Sequence, residues 1–203
     1  VKMEKINAFD SVRSIELPNE EMLRRWSFPT MLERSTNKLC VTSDIVEMVK
    51  LDAHSYKTLM QKDTAVKDFT YRIKAPESIE RKVKRHPELR FQSVFNDILG
   101  IRIERDFYLN EIPEYYRLVD LTQGKAHDDG YRAQHLYYKL DNYHYAIEVQ
   151  VWAGKDIQFN TWMHTLTYKY LPDGISRQLR DMYDNGKLNN FNEFRQEVYK
   201  LWK

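Results

Sequence analysis

The chain has 203 residues, 32 of them Lys or Arg and 30 Asp or Glu, for a formal net charge of +2. That near balance gives no global case for a polyanionic partner, so a nucleic acid would have to meet a local basic patch. The single Cys40 excludes a disulfide framework and a multi-cysteine zinc site, and no apolar run approaches the roughly 20 residues of a membrane span; a soluble, cytoplasmic protein without a leader is expected.

No repeat or low-complexity tract divides the chain, and one domain over 1–203 is expected: a helical part over 1–66, a core over 67–170 and helices over 171–203. Helices are predicted over 19–34 and 44–62, the second opened by Asp44 and Glu47 at capping-box spacing and striped by Ile45, Val49, Tyr56, Leu59 and Met60. Phe69 to Lys74 reads as extended, and Pro76 suits the first turn of a helix. Gly100 to Glu104, Tyr116 to Leu121, Ala133 to Leu140 and Tyr143 to Val151 read as strands, the last two joined by a two-residue hairpin at Asp141 and Asn142. Helical patterning returns over Asp156 to Tyr170 and Asn190 to Trp202. The layout is α+β, a small sheet between helical segments.

Strand alternation places Tyr143, Tyr145, Ile147, Val149 and Val151 on one face of the last strand and Glu148 and Gln150 on the other. The same rule pairs Ile101 with Ile103 against Arg102, and sets His135 opposite Leu136, Tyr138 and Leu140. One sheet face therefore collects Arg102, His135, Glu148 and Gln150, with helices expected on the other. A solvated face with incidental charges would give the same alternation.

Three motifs sharpen this. Arg72, Lys74, Ser78 and Lys82 bring three cations and a hydroxyl to a strand end and the helix start that follows, an arrangement that favours phosphate. Asp97 enters the strand that carries Arg102; with Glu148 it offers an incomplete oxygen set of the kind Mg²⁺ uses, the alternative being a structural Asp97–Arg102 ion pair. The loop from Gly124 through Lys125 and Gly130 to Tyr131, Arg132 and His135 suits stacking of a nucleobase beside cations. His127, His135 and His144 lack close metal-ligand spacing, so zinc is not expected.

These motifs, in this order and followed by Glu148-Val149-Gln150 and Trp162 to Lys169, resemble the synthetase domain of the RelA/SpoT family, specifically its small single-domain alarmone synthetases. The resemblance spans about Arg72 to Lys169. It implies a nucleotidyltransferase-like mixed sheet flanked by helices, and transfer of the β,γ-pyrophosphate of ATP to a ribose 3′-hydroxyl with AMP leaving. By the same resemblance Arg72, Lys74, Ser78, Lys82 and Arg102 bind ATP. Asp97 and Glu148 are the catalytic carboxylates and Mg²⁺ ligands, with Glu148 as the base. Lys125, Tyr131, Arg132, His135 and Gln150 bind the acceptor, Tyr131 by stacking. Synthesis without hydrolysis is expected, and no ribosome sensing.

The chain departs from the family pattern at Asp129, where Asn is usual before Gly130, at Trp152, where a basic residue is usual, and at Met163, where Glu is usual. Asp128 and Asp129 put a negative pair where guanosine phosphates would approach. The loop resembles those of the toxic branch of the family, which implies the 3′ end of tRNA as acceptor, arrest of translation and a protein antitoxin as partner. GDP or GTP as acceptor is the alternative, and a catalytically silent nucleotide- or RNA-binding module a further one. Arg81, Lys82, Lys84, Arg85 and Arg90, or Arg24, Arg25, Arg34 and Lys38, would supply the cationic track a tRNA needs, although charged surface helices are routine.

Overall fold

A computed structural model describes residues 16–32, 34–125, 128–166, 171 and 174–202. The chain opens with α1 (Glu20–Trp26) and α2 (Ser43–Lys62), followed by β1 (Thr70–Ile73), α3 (Pro76–Arg85) and the single turn α4 (Phe91–Val94). Strands β2 (Leu99–Arg105), β3 (Arg117–Asp120), β4 (Gln134–Tyr138) and β5 (Ile147–Ala153) complete the sheet, and α5 (Lys155–Thr165), α6 (Ile175–Asp184) and α7 (Phe191–Leu201) close the chain. The result is a mixed α+β fold with a five-stranded sheet in the order β1-β2-β5-β4-β3. Only β2 and β5 run parallel; the other neighbours are antiparallel.

The register aligns the polar positions in rows. Arg72, Gly100, Glu148, Tyr137 and Arg117 lie side by side, and Thr70, Arg102, Gln150, His135 and Val119 form the next row. The opposite face carries Leu99, Ile101, Ile103, Leu136, Ile147, Val149 and Val151, all buried in one apolar cluster with Leu23 and Trp26 of α1 and Val49, Tyr56 and Met60 of α2. Expected strand alternation is therefore met, and burying those side chains drives the sheet onto its helices. A second apolar cluster, Phe159, Trp162, Met163, Leu179, Leu188, Phe194 and Val198, ties α5, α6 and α7 together.

Three expectations are corrected. The first helix ends at Trp26 instead of Arg34, because the next residues run extended and bridge at Pro29 to His144. No two-residue hairpin joins β4 to β5: Tyr138 pairs with Ile147, and the connection between them runs through 139–146. Within it the Tyr143 carbonyl accepts from Thr30 N–H, and Tyr145 N–H donates to the Phe28 carbonyl, so backbone groups expected in β5 are satisfied elsewhere. The α2 cap is Thr42, whose hydroxyl accepts from Ile45 N–H, instead of Asp44. Helix α6 falls within the span 171–203 expected to be helical but had no bounds of its own there, and residues 167–170 of the helix predicted over 156–170 lie outside the described residues.

Candidate active site

Strand β1 and helix α3 deliver their cations to one carboxylate. Asp97, at the entrance to β2, is 7% exposed. It ion-pairs with Lys74 Nζ through one oxygen and lies 2.9 Å from Lys82 Nζ through the other, with Arg72 Nη2 at 3.9 Å. Burial alone would raise its pKa, but the Lys74 and Lys82 ammoniums reverse this and hold it at about 2. Burial in turn lowers the pKa of Lys74, a shift that Asp97 opposes. Lys82 also donates to Asn96 Oδ1 at 2.8 Å. Ser78 lies in the first turn of α3 and its hydroxyl accepts from Arg81.

Glu148, 4% exposed, lies on β5 in the same row as Arg72, with Gly100 between them. A Cβ at Gly100 would sit 3.2 Å from Arg72 Nε and 3.9 Å from Glu148 Oε2, so a glycine here lets the Arg72 side chain lie across the strand toward Glu148, and the three form a cradle of cation and carboxylate. Tyr137 donates to Glu148 Oε1 at 2.9 Å, His135 Nδ1 is 3.0 Å from the same oxygen, and Gln150 donates to Oε2 at 2.8 Å. Burial pushes the Glu148 pKa up, while His135 and Arg72 pull it down to a net lowering, so the group stays ionised at neutral pH.

Three residues expected to bind the acceptor, Tyr131, His135 and Gln150, meet at the neighbouring row. Tyr131 Oη lies 3.0 Å from His135 Nε2 and 3.4 Å from Gln150 Oε1, and it accepts from Trp152 Nε1 at 2.9 Å. Since the Glu148 carboxylate can only accept, it places a proton on His135 Nδ1 and turns Nε2 toward the Tyr131 hydroxyl. Trp152 is fully buried between the Arg102 guanidinium, 3.5 Å from its ring centroid, and the His164 ring at 5.4 Å. Arg102 thus lies over Trp152, in the row of Gln150 and His135, while Asp97 draws its partners from Lys74 just after β1 and from Lys82 of α3. The polar face is consequently roofed at one end by α5 rather than open throughout.

The charges of the loop also differ from expectation. Asp128 takes both terminal nitrogens of Arg132, at 2.7 and 2.8 Å, and accepts from Gly130 N–H. Asp129 ion-pairs with Lys125 at 2.6 Å and accepts from Tyr131 N–H. The acidic pair is thereby neutralised within the loop by the two cations assigned to the acceptor. Of the basic runs, Arg24 pairs with Glu20 and Arg25 with Asp63, Arg81 donates to Ser78 and Arg90 to the Lys38 carbonyl; all four are exposed, as are Lys84 and Arg85. His127, Tyr168 and Lys169 lie outside the described residues.

Sequence reasoning missed Tyr137, Asn96 and the bracing residues behind the loop. Tyr137 was within reach, since it lies two positions from His135 on the same strand face. Nothing local marked Asn96. Among the described residues no cluster of three or more His, Cys, Asp or Glu forms a metal site. Two ionised, nearly buried carboxylates, an all-oxygen donor set, nonetheless fit a hard cation that keeps most of its ligands as water and phosphate oxygen. Chemically, the arrangement can hold a polyphosphate over Gly100, neutralise it with Arg72, Lys74 and Lys82, and accept a proton at Glu148 or His135.

No family model matches the sequence, and no curated protein does. Solved structures do. Small alarmone synthetase 1 from Bacillus subtilis is 25% identical over 77% of this chain and 93% of its own, with a TM-score of 0.42. The same protein bound to its product pppGpp is 23% identical over the same shares, at 0.44. A GTP pyrophosphokinase family protein from Streptococcus pneumoniae is 20% identical over 82% of this chain and 88% of its own, at 0.39.

Proposed function

We propose that the chain is an ATP-dependent pyrophosphokinase that moves the β,γ-pyrophosphoryl group of ATP to a ribose 3′-hydroxyl. The observation that carries this reading is the Arg72–Gly100–Glu148 row with Asp97 beside it: cations of one strand and helix gathered against two ionised carboxylates. Such transfer requires in-line positioning and neutralisation of spreading charge more than covalent chemistry. Arg72, Lys74, Ser78 and Lys82 hold the triphosphate. Glu148, oriented by Tyr137, His135 and Gln150, takes the proton of the attacking hydroxyl. The hydroxyl oxygen bonds to the β-phosphorus, the bond from that phosphorus to the bridging α,β-oxygen breaks, and AMP leaves. Asp97 and Glu148 would hold Mg²⁺, which when bound neutralises phosphate charge.

The acceptor is the 3′-terminal ribose of tRNA in this reading, placed against Tyr131, His135 and Gln150, with the exposed Lys84 and Arg85 of α3 facing its backbone. A cytoplasmic enzyme that blocks tRNA would need a neutralising protein antitoxin, and stoichiometric co-purification of an inhibitor tests that. GDP or GTP is the second reading, favoured by one observation: Asp128 and Asp129 are neutralised by Arg132 and Lys125 and so repel incoming phosphate less than their sequence suggests. The test offers the pure protein γ-labelled ATP and magnesium with deacylated tRNA, GDP or GTP in separate tubes. Label on tRNA supports the first reading, label on guanosine nucleotide the second, and label on neither removes both.

A further inference from the structure

Behind the Tyr131 loop lies an ionic cluster, buried at Arg180 and Asp156 and exposed at Lys155 and Asp184, on helices that carry none of the assigned chemistry except the His164 stack. Arg180 of α6 is 4% exposed. Its Nη2 is 2.6 Å from Asp156, and its Nε donates to Asp184 at 2.7 Å. Tyr108 donates to Asp156 at 2.8 Å, and Lys155 ion-pairs with Asp184. Taking Arg180 and Asp156 out of water is costly, and apolar side chains of the same volume would hold the helices together at least as well. What the cluster adds is direction. The remaining nitrogen of Arg180, Nη1, points at the Gly130 carbonyl 3.4 Å away.

Gly130 itself has φ +77° and is packed tightly: a Cβ there would come within 2.9 Å of the Ser176 carbonyl oxygen and 3.0 Å of Arg180 Cβ and the Phe159 ring. Two residues on, Asn160 of α5, 1% exposed, brackets the backbone of Arg132. Its Nδ2 donates to the Arg132 carbonyl at 2.8 Å and its Oδ1 accepts the Arg132 N–H at 3.5 Å. Tyr131 is therefore held through the main chain on both sides by helices that lie outside the sheet.

We infer that Arg180 and Asn160 are positioning residues for the acceptor: they fix Gly130 and Arg132 so that the Tyr131 ring and hydroxyl stand at the His135–Gln150 edge. For its effect on turnover this rests on the proposed role of Tyr131; for its effect on the loop it rests on geometry alone. The ATP side, built from β1, α3 and Asp97, shares none of these contacts, so the two substrates should respond differently.

The experiment compares Asn160→Ala, Arg180→Lys and Arg180→Met with the unaltered protein by amide hydrogen exchange and by separate KM values for ATP and for whichever acceptor takes label. Exchange over 128–132 is expected to rise about tenfold while β2 and β5 stay protected, with acceptor KM rising roughly tenfold and ATP KM holding within about twofold. Arg180→Lys, which keeps the charge between Asp156 and Asp184, should fall between the unaltered protein and Arg180→Met. Unchanged loop exchange, or ATP and acceptor KM moving together, would overturn the inference. If the unaltered protein labels no acceptor, the proposed function fails, and loop exchange still decides the positioning role. Should Arg180→Met not fold, Asn160→Ala and Arg180→Lys carry the same comparison.

Discussion

Tyr137 shows how much of this site depends on single hydrogen bonds. Its hydroxyl is a direct donor to Glu148 Oε1, and its one further polar approach among the described residues is to His135 at 3.4 Å. Tyr137→Phe leaves the buried carboxylate one donor short at a cost of about 1–3 kcal/mol, so kcat is expected to fall roughly 5- to 150-fold with ATP KM unchanged. Steady-state kinetics on the two proteins checks this. Asp97 carries a pH signature. A carboxyl whose folded pKa lies at about 2, below the unfolded value, adds stability above the unfolded pKa and loses it as pH falls through the folded one. Urea midpoints of the unaltered protein should therefore drop between about pH 4 and pH 2, a window set by the unfolded carboxyl value and the folded one. Asp97→Asn should lower the midpoint at neutral pH, because Lys74 and Lys82 lose their counter-charge, and should flatten that acid limb.

At the scale of elements, the loop that carries Tyr131 depends on one backbone conformation. Gly130→Ala forces a side chain into φ +77° against the Ser176 carbonyl, and is expected to lower stability by about 1–3 kcal/mol and to raise acceptor KM more than ATP KM. Thermal melts with paired KM measurements decide it. Strand β5 explains why the polar face could be read from sequence: pleating alternates side chains locally, so Glu148 and Gln150 fell on one face whatever the rest of the chain did. The segment just before β5 could not be read the same way. Tyr143 and Tyr145 have strand-like character, but their backbone partners are Thr30 and Phe28, more than a hundred residues away, and Tyr145 is anchored by its hydroxyl to Asp52. The same long-range pairing pulls 27–30 out of the first helix. Helix α6 was legible in principle, since Ile175, Leu179, Met182 and Tyr183 recur at helical spacing toward the second cluster. Its use was not: the contact of Arg180 with Gly130 joins residues fifty apart through a partly buried ion cluster. Trp152 stood out as a departure, yet that it lies between Arg102 and His164 and holds the Tyr131 hydroxyl depends on the packing of α5.

The whole molecule carries a net charge of only +2, so a polyanion would have to meet a local set of exposed cations, those of α3 in the reading above, and not the global field. This separates the two acceptor readings by salt. A tRNA acceptor should show KM rising steeply between low and physiological salt, with the slope reduced in Lys84→Ala/Arg85→Ala, because every phosphate that is no longer neutralised by a side chain takes roughly one counterion out of the log–log slope. GDP or GTP should show a shallow dependence that those substitutions leave alone. Beneath either reading stands one claim, that the Arg72–Gly100–Glu148 cradle with Asp97 transfers a pyrophosphoryl group as a unit. The most direct test supplies β-labelled ATP with magnesium and the preferred acceptor, and follows label and AMP together. The account predicts one labelled acceptor for each AMP formed, abolished by Glu148→Gln and by Asp97→Asn; ADP or free phosphate as the product, or label left behind on nucleoside diphosphate, would contradict it.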